Sequence, residues 1–413
     1  MPPDATPEPF DDLPFGRRLK LLRTRRGLTR DSFGGLVGKS ASWVKSVESG
    51  RLATPKLSIL LRIAEILRVR DLAQFTGDQS VAVDLFTGPG HPRLPAVRAS
   101  INGLPALTAR QAPPVAHLRA RLDRAWRARH SSPHHREALG RLLPDLITDA
   151  QLAARQAEPR AQRRAAQAVL AEVYALSQFF IAYQPAADLL WRVAERGMVA
   201  AQDSGDVHAI GVSSWLMAQA HRDAGDWDAA DAVTTQTAAA LEPHVADAGT
   251  PARAMWGALA FESAYTAARR GETGVAWGYW DTANAVADRL PTAYYHPVTS
   301  FSQAIMGAHA VTVAVELRAG GESVRQSERA PAGAIPSRPR RARHEIEQAR
   351  AYHLDARPEE AMSLLEQAQK AAPETIRYNG YARRILAEEM DSRDASRRHR
   401  ASALSHKMEL LAS

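Results

Sequence analysis

Few residues in this 413-residue chain have the types and spacing that catalysis needs. The chain has no cysteine, which excludes a thiol nucleophile, a disulfide framework and a cysteine-ligated metal or iron–sulfur site. The Gly-x-Ser-x-Gly pattern of a serine nucleophile is absent. Gly38-Lys39-Ser40 mimics the end of a phosphate-binding loop, but that loop needs a glycine five residues before Gly38, where Phe33 stands. We therefore expect no catalytic residues and predict that the protein is not an enzyme.

A histidine cluster is the strongest candidate for metal binding. His130 and His134 have the i, i+4 spacing that places two ligands on one helix face, and His135 follows directly. Pro133 interrupts a helix at this point, and no third, carboxylate ligand is evident. A solvated basic loop explains the cluster better, so we expect neither a metal nor a cofactor.

The positive charge of the chain is concentrated near its N-terminus. Residues 15–75 contain fourteen Lys or Arg and four Asp or Glu residues, a net charge of +10, whereas residues 1–14 contain four acidic residues and no basic one. A compact basic module joined to a nearly neutral body predicts a polyanionic partner for the module alone.

Composition also bears on the class of protein. With 45% hydrophobic and 24% charged residues, the chain is typical of a globular protein. No uncharged apolar run reaches the ~18 residues that a membrane span needs, and the polar, acidic start has no signal-peptide core. We expect a cytoplasmic protein with no membrane partner.

Residues 15–68 contain four short amphipathic segments that must position the basic side chains. Gly27 is placed to end the first segment, and Thr29 is a good cap for the second. Gly38 marks a sharp turn before the third segment. Two short helices joined at a tight glycine turn predict a helix-turn-helix, whose second helix can enter the major groove of DNA.

The same stretch resembles the Cro/phage-repressor type of helix-turn-helix, also called the XRE family. The resemblance covers roughly residues 15–75 and rests on Leu19-Lys20-Leu21-Leu22-Arg23, Gly27-Leu28-Thr29, Gly38-Lys39-Ser40-Ala41-Ser42-Trp43-Val44-Lys45-Ser46-Val47-Glu48-Ser49-Gly50, Pro55 and Ile63-Ala64-Glu65-Ile66-Leu67. It implies that Arg23 pairs with Glu48 and ties the first helix to the third.

The resemblance also implies which residues contact DNA. The residues facing base edges would be Ala41, Ser42, Lys45 and Ser46, and those near phosphates would be Arg30, Lys39, Ser40, Trp43, Arg51 and Lys56. Because no Arg, Asn or Gln stands at a base-facing position, Lys45 is the expected reader of guanine. The chain departs from the family at Arg30 (usually Gln), Gly34 (usually Ala) and Lys39 (usually apolar).

The rest of the chain reads as long, Ala-rich helices with no strand-like run, so we predict an all-α fold. A turn followed by a small residue recurs before Ala230, Ala276 and Ala361. A similar turn precedes Ala187. The spacings from Ala187 to Ala230 and from Ala230 to Ala276 are 43 and 46 residues, longer than the ~34 of a tetratricopeptide unit. The pattern resembles a degenerate tetratricopeptide array, an α-solenoid of helix pairs. The whole chain resembles helix-turn-helix plus tetratricopeptide regulators of the actinobacterial, Streptomyces-like type.

These patterns predict a domain organisation. We expect an acidic tail at 1–14, a helix-turn-helix DNA-binding domain at 15–75, a proline-broken linker at 76–115, and a helical sensor and dimerisation domain at 116–413. Within the last, residues 321–341 are polar, Pro-rich and basic, which predicts a loop. Its basic end, Arg338 to Arg343, is expected to be solvated, with DNA contact as the alternative.

The predicted solenoid offers a concave face for a small molecule or peptide. Aromatic, His and Arg residues concentrate there, and those that could hold an amphipathic or anionic ligand are Trp215, His221, Arg222, Tyr265, Trp277, Trp280, Tyr295 and His296. The alternative is that these rings form the core between repeats.

The sequence therefore favours a transcriptional regulator that binds double-stranded DNA, as a homodimer on a palindromic operator, under the control of an effector bound by the repeats. The alternative is a tetratricopeptide-like interaction scaffold with secondary DNA binding.

Overall fold

The computed structural model describes residues 13–52, 54–55, 57–67, 69, 90–103, 110–245 and 249–410. The chain divides into two compact units, residues 1–88 and 89–413. Within the described ranges every regular element is a helix, so the predicted all-α fold is confirmed. None of these helices combines the length and the apolarity needed to cross a membrane.

The described part of unit 1 contains four short helices: α1 (Phe15–Arg25), α2 (Arg30–Val37), α3 (Ala41–Glu48) and α4 (Leu57–Leu67). Their apolar faces meet in one core, in which Leu19, Phe33, Val44 and Ile63 are fully buried. The spacing of these residues is helical, so each helix turns one face to the core and leaves its charged side chains outside.

Local signals set the turn between α2 and α3. The Thr29 hydroxyl accepts a hydrogen bond from the Ser32 amide at 3.0 Å and begins α2. Gly38 ends α2 with a φ of 74°, in the left-handed region that favours glycine. The Ser40 hydroxyl then accepts from the Trp43 amide at 3.1 Å and begins α3. The predicted helix-turn-helix is therefore present.

Unit 2 is a run of longer helices. They are α5 (Leu94–Asn102), α6 (Val115–Ser131), α7 (His135–Gln156), α8 (Arg160–Ile181), α9 (Ala187–Ser204), α10 (Val207–Asp223), α11 (Trp227–Val245), α12 (Gly249–Arg270), α13 (Thr273–Ala287), α14 (Met306–Glu316), α15 (Gly320–Arg329), α16 (Arg338–Leu354), α17 (Pro358–Ala371), α18 (Pro373–Arg377), α19 (Gly380–Met390) and α20 (Ala395–Lys407).

These helices pack as successive pairs, as the predicted solenoid requires. The pairs are α6 with α7, α8 with α9, α10 with α11, α12 with α13, α14 with α15, and α16 with α17. Ala230, Ala276 and Ala361, the small residues predicted after each turn, are fully buried. A larger side chain there would hold the paired helices apart.

The first helices of the pairs form a ring, which the sequence did not predict. These inner helices, α6, α8, α10, α12, α14 and α16, contact one another in chain order, and α16 also contacts α6. At the closure, His130 of α6 lies 2.8 Å from the hydroxyl of Ser337, the residue that precedes α16. The inner helices of unit 2 therefore enclose a central interior, and the predicted concave face lines it.

The prediction of a loop at 321–341 is wrong for most of that segment. Helix α15 covers Gly320–Arg329, and α16 begins at Arg338. Pro339 lies in the first turn of α16, where a proline costs no hydrogen bond. Ser327 is buried because it packs beneath α16, where Gln348 Nε2 donates to its carbonyl at 3.0 Å. Tertiary contacts thus order a segment whose composition is typical of a loop.

The predicted linker at 76–115 also contains a helix. Leu94, Val97 and Ile101 of α5 are buried and pack in the core of unit 2, against α7. These three residues have helical spacing, but the neighbouring prolines led to the prediction of a linker. Residues 76–89 and 104–109 of the predicted linker lie outside the described residues.

Candidate functional site

Helix α3 presents a polar edge of the kind that recognises DNA. Its inward residues, Val44 and Val47, are buried, while Ser42 and Lys45 are exposed and Ser46 is half-buried. Residues three and four apart share one helix face, so these three polar side chains lie side by side. Three hydroxyl or ammonium tips on one face can donate to base-edge acceptors.

The other predicted DNA-contacting residues lie around this edge. Lys39, Ser40 and Arg51 are exposed, and Ala41 is half-buried at the start of α3. Trp43 is also half-buried and packs against the core of unit 1. Lys56 lies outside the described residues.

The carboxylate of Glu48, at the end of α3, forms two ion pairs within unit 1. One oxygen accepts from Arg23 Nε at 2.6 Å, which confirms the predicted pair. Arg30 Nε reaches the second oxygen at 2.7 Å. The Glu48 side chain is only 2% exposed. Arg30, predicted to lie near phosphates, is therefore paired with a carboxylate that offsets its charge.

Gly34 has a steric role in the turn between α2 and α3. A Cβ at this position would lie 2.7 Å from the carbonyl oxygen of Lys39. The backbone therefore passes closer here than an alanine would allow, because the Lys39 amide also bonds to the Gly34 carbonyl at 2.7 Å.

Three predicted ligand-binding residues lie on inner helices of unit 2, and two of them are in contact. Arg222 of α10 is buried, stacks on the Tyr265 ring with 4.2 Å from Cζ to the ring centroid, and is ion-paired with Glu262 of α12. Trp215, two turns earlier on α10, is 5% exposed. Inner helices thus hold these side chains, but Arg222 already has its counter-ion.

Trp277 and Trp280 do not join this group. Both lie on α13, which is the second helix of its pair, and their rings meet edge to face at 5.8 Å. Trp280 Nε1 donates to the Met306 carbonyl at 3.3 Å, and both rings pack against the core. The structure places them as packing residues between helices.

His221 points away from the ring interior into a separate cavity. This cavity of about 420 Å³ lies between α9, α10 and α11. His221 meets Trp191 edge to face at 5.0 Å there, and Met198, Ser214 and Thr237 form other parts of the wall. The eight predicted ligand-binding residues therefore do not line a single pocket.

His296 is fully buried and hydrogen-bonded rather than free for a ligand. Its Nε2 lies 2.8 Å from His208 Nε2, and its Nδ1 lies 3.0 Å from the Thr299 hydroxyl. Burial and, to a smaller extent, the neighbouring His208 together lower the pKa of His296 to about 3. Burial lowers the pKa of His208 as well. The pair is therefore neutral at pH 7.

We expect unit 2 to lose stability in acid through this pair. The folded-state pKa lies below the usual value of 6.5, so the unfolded chain binds more protons. The stabilisation is fully present above about pH 6.5 and is lost as the pH falls toward 3, by about 1.4 kcal/mol per pH unit for one histidine. Thermal unfolding between pH 7 and 5 should show a steeper decline in wild type than in His296→Gln. An exposed histidine variant, His134→Gln, should keep the wild-type slope; equal slopes in all three proteins would contradict the prediction.

The other histidines predicted as a solvated cluster are mostly structural. His130 bonds to the Pro297 carbonyl at 2.7 Å, and buried His135 lies 3.0 Å from the Thr375 hydroxyl. Only His134 is exposed. The loop interpretation is therefore wrong for His130 and His135, which bond α6 and α7 to segments later in the chain.

The sequence analysis did not predict the positions of two arginines inside the ring, one buried and one half-buried. Arg129 of α6 is 5% exposed, and its guanidinium lies 4.0 Å from the Phe179 ring centroid. Arg340 of α16, expected in a solvated run, is half-buried and donates to the Ser300 hydroxyl and the Thr299 carbonyl, both at 3.2 Å. The residues next to an arginine in the sequence do not predict whether it is buried. The positions of Arg129 and Arg340 depend on the contacts that close the ring.

Comparisons with known proteins agree with the description of unit 1. Residues 14–75 match the family model of a helix-turn-helix domain. No curated protein matches the chain. Among solved structures, the chain is similar to Bacillus thuringiensis PlcR, solved in complex with the peptide PapR7 and DNA, at 13% identity over 85% of this chain and 98% of that chain. The TM-score is 0.29, too low to support an argument.

Proposed function

We propose that the protein is a sequence-specific DNA-binding transcription regulator of the XRE type, whose repeat unit receives a small-molecule or peptide effector. The observation that carries this proposal is the polar edge of α3, held by two caps and the Gly38 turn within the segment that matches a helix-turn-helix domain. Lys39 and Arg51 flank this edge and are exposed, as phosphate-binding residues must be.

A homodimer on a palindromic operator is part of the same proposal. Helix α3 has eight residues, so one copy can contact only a few base pairs. Two copies placed about one DNA turn apart, ~34 Å, would double the contacted sequence. An effector that binds unit 2 better in one arrangement of the two copies would shift the population that spans both half-sites.

We expect Lys45→Ala to weaken binding to the selected operator by about 1–3 kcal/mol and to relax specificity at one base pair. Lys45 has the longest side chain on the polar edge of α3, so its ammonium reaches furthest toward the bases. Because Lys45 is exposed, its loss should remove a base contact and leave the fold intact. Operators selected from random duplexes by the full chain, followed by gel shifts over a salt series, measure both effects.

The matched control removes an equally exposed cation from unit 2. Arg155→Ala should leave operator affinity unchanged, since Arg155 lies on the surface of α7. If Lys45→Ala binds as tightly as wild type, α3 does not read bases. If wild type shows no sequence preference at ~200 mM salt, the scaffold function replaces the regulator.

A further inference from the structure

The interior of the ring contains a buried cation with no counter-ion. Arg129 has one polar contact, 3.3 Å from Nη1 to His130 Nδ1, and its Nε is buried without a hydrogen-bond partner. No carboxylate among the described residues lies within ion-pairing distance of it. Burial lowers the pKa of Arg129 to about 9, and the charge of Arg340 contributes to the shift, so the side chain is still cationic at pH 7.

Arg340 brings a second unbalanced charge to the same region. It bonds only to neutral oxygens, those of Ser300 and Thr299, and its guanidinium lies 6.0 Å from the Trp215 ring centroid. Burial lowers the pKa of Arg340 too. Two guanidinium groups that repel each other away from water raise the free energy of the folded state unless an anion binds between them and offsets their charge.

Three buried carboxylates of the inner helices do not supply that anion, because each is paired with another arginine. Glu262 binds Arg222, and Glu316 and Glu347 both bind Arg350. These pairs show that the ring balances buried arginines elsewhere. Arg129 and Arg340, near the contact of α16 with α6, have no ion pair among the described residues.

The surroundings of the two arginines suit an anion attached to a flat apolar group. The centroids of the Phe179 and Trp215 rings lie 6.1 Å apart. Arg129 Cζ lies 4.0 Å from the Phe179 centroid, and Arg340 Cζ lies 6.0 Å from the Trp215 centroid. The Tyr295 hydroxyl, a donor, is buried without a partner. Aromatic walls and unfilled donors together are the features of a ligand site.

We propose that Arg129 and Arg340 form the anion-binding part of the effector site, and that the effector is a small organic anion whose carboxylate or phosphate bridges the two guanidinium groups while its flat body lies on Phe179 and Trp215. Bidentate arginine contacts to such an anion are strong and geometrically specific. This inference rests on the proposed function only in naming the ligand as an effector; the anion site itself does not depend on DNA binding.

Calorimetry of the full chain with benzoate, phenyl phosphate and neutral benzamide tests the site. We expect saturable binding of at least one of the two anions and none of benzamide at the same concentration. The tighter of the two anions identifies the effector as a carboxylate or a phosphate. Arg129→Met should weaken that binding at least tenfold, whereas Arg155→Met, which removes a surface charge, should not change it.

Thermal unfolding without ligand gives a second readout that distinguishes a binding role from a structural one. Arg129→Met should be as stable as wild type or more stable, because it removes an unpaired buried charge; an arginine that holds the ring together would give a large loss. Arg340→Met provides an independent variant with the same expected loss of anion binding. The inference is overturned if neither anion binds wild type at millimolar concentration, or if both variants bind as wild type does.

The outcome for DNA is separate. If an anion binds at Arg129 but leaves operator affinity unchanged, the site is present and the effector role fails. If wild type binds no specific DNA while the anion still binds, the proposed function fails alone.

Discussion

Glu48→Ala should lower the stability of unit 1 by about 3–5 kcal/mol, enough to unfold most of it. The Glu48 side chain is 2% exposed and accepts from both Arg23 and Arg30. Its removal leaves the Arg23 guanidinium, itself 9% exposed, without an ion pair among the described residues of unit 1. Hydrogen exchange of the α1 and α3 amides in the full chain is the direct measurement, because it reports on unit 1 separately from unit 2.

Arg30→Ala is the matched comparison. It breaks the second ion pair of the same carboxylate, but the Arg30 side chain is 39% exposed and Arg23 stays in place. A surface pair of this kind contributes about 0–1 kcal/mol. Equal protection losses in the Glu48 and Arg30 variants would show that burial of the Arg23 pair does not stabilise unit 1.

A change of similar size is expected inside the ring of unit 2. Glu262→Ala should cost about 3–5 kcal/mol, because it leaves the buried guanidinium of Arg222 unpaired beneath Tyr265. Both side chains are at most 4% exposed, so water cannot replace the lost carboxylate. Chemical denaturation followed by far-UV circular dichroism should show the loss as a lower midpoint.

A double variant separates the pair from the packing around it. Arg222→Met with Glu262→Leu removes both charges and keeps apolar volume, so it should recover most of the stability lost in Glu262→Ala. If the double variant is no more stable than the single one, the loss comes from a packing defect and the unpaired charge is not its cause.

The elements of unit 1 could be predicted because their signals are local. Thr29 and Ser40 cap helices through amides three residues away, and Gly38 ends a helix through its own φ. The pair of Arg23 with Glu48 spans 25 residues, yet family resemblance pointed to it. The position of Arg30 could not be predicted in this way, because no local pattern indicates that Arg30 forms an ion pair with Glu48.

The ligand-binding residues of unit 2 could be predicted only in part. Helical spacing and composition pointed to Trp215, Arg222 and Tyr265, which all lie on inner helices, and Arg222 and Tyr265 are in contact there. The same criteria also selected Trp277 and His296, which are packing residues. An aromatic ring on an inner helix and one on an outer helix look alike in sequence, since the difference is which neighbour covers them.

By itself, the sequence determined the helical class of the protein, the helix-turn-helix, the small residues between paired helices and the separation of charge between the two units. Each of these depends on residues near one another in the chain, through capping, periodicity and turn geometry. Tertiary structure alone decided that the repeats close into a ring, inside which Arg129 is buried and Arg340 is half-buried. Those facts depend on contacts such as His130 with Ser337, 207 residues apart, and burial of a charge is a property of everything packed around it.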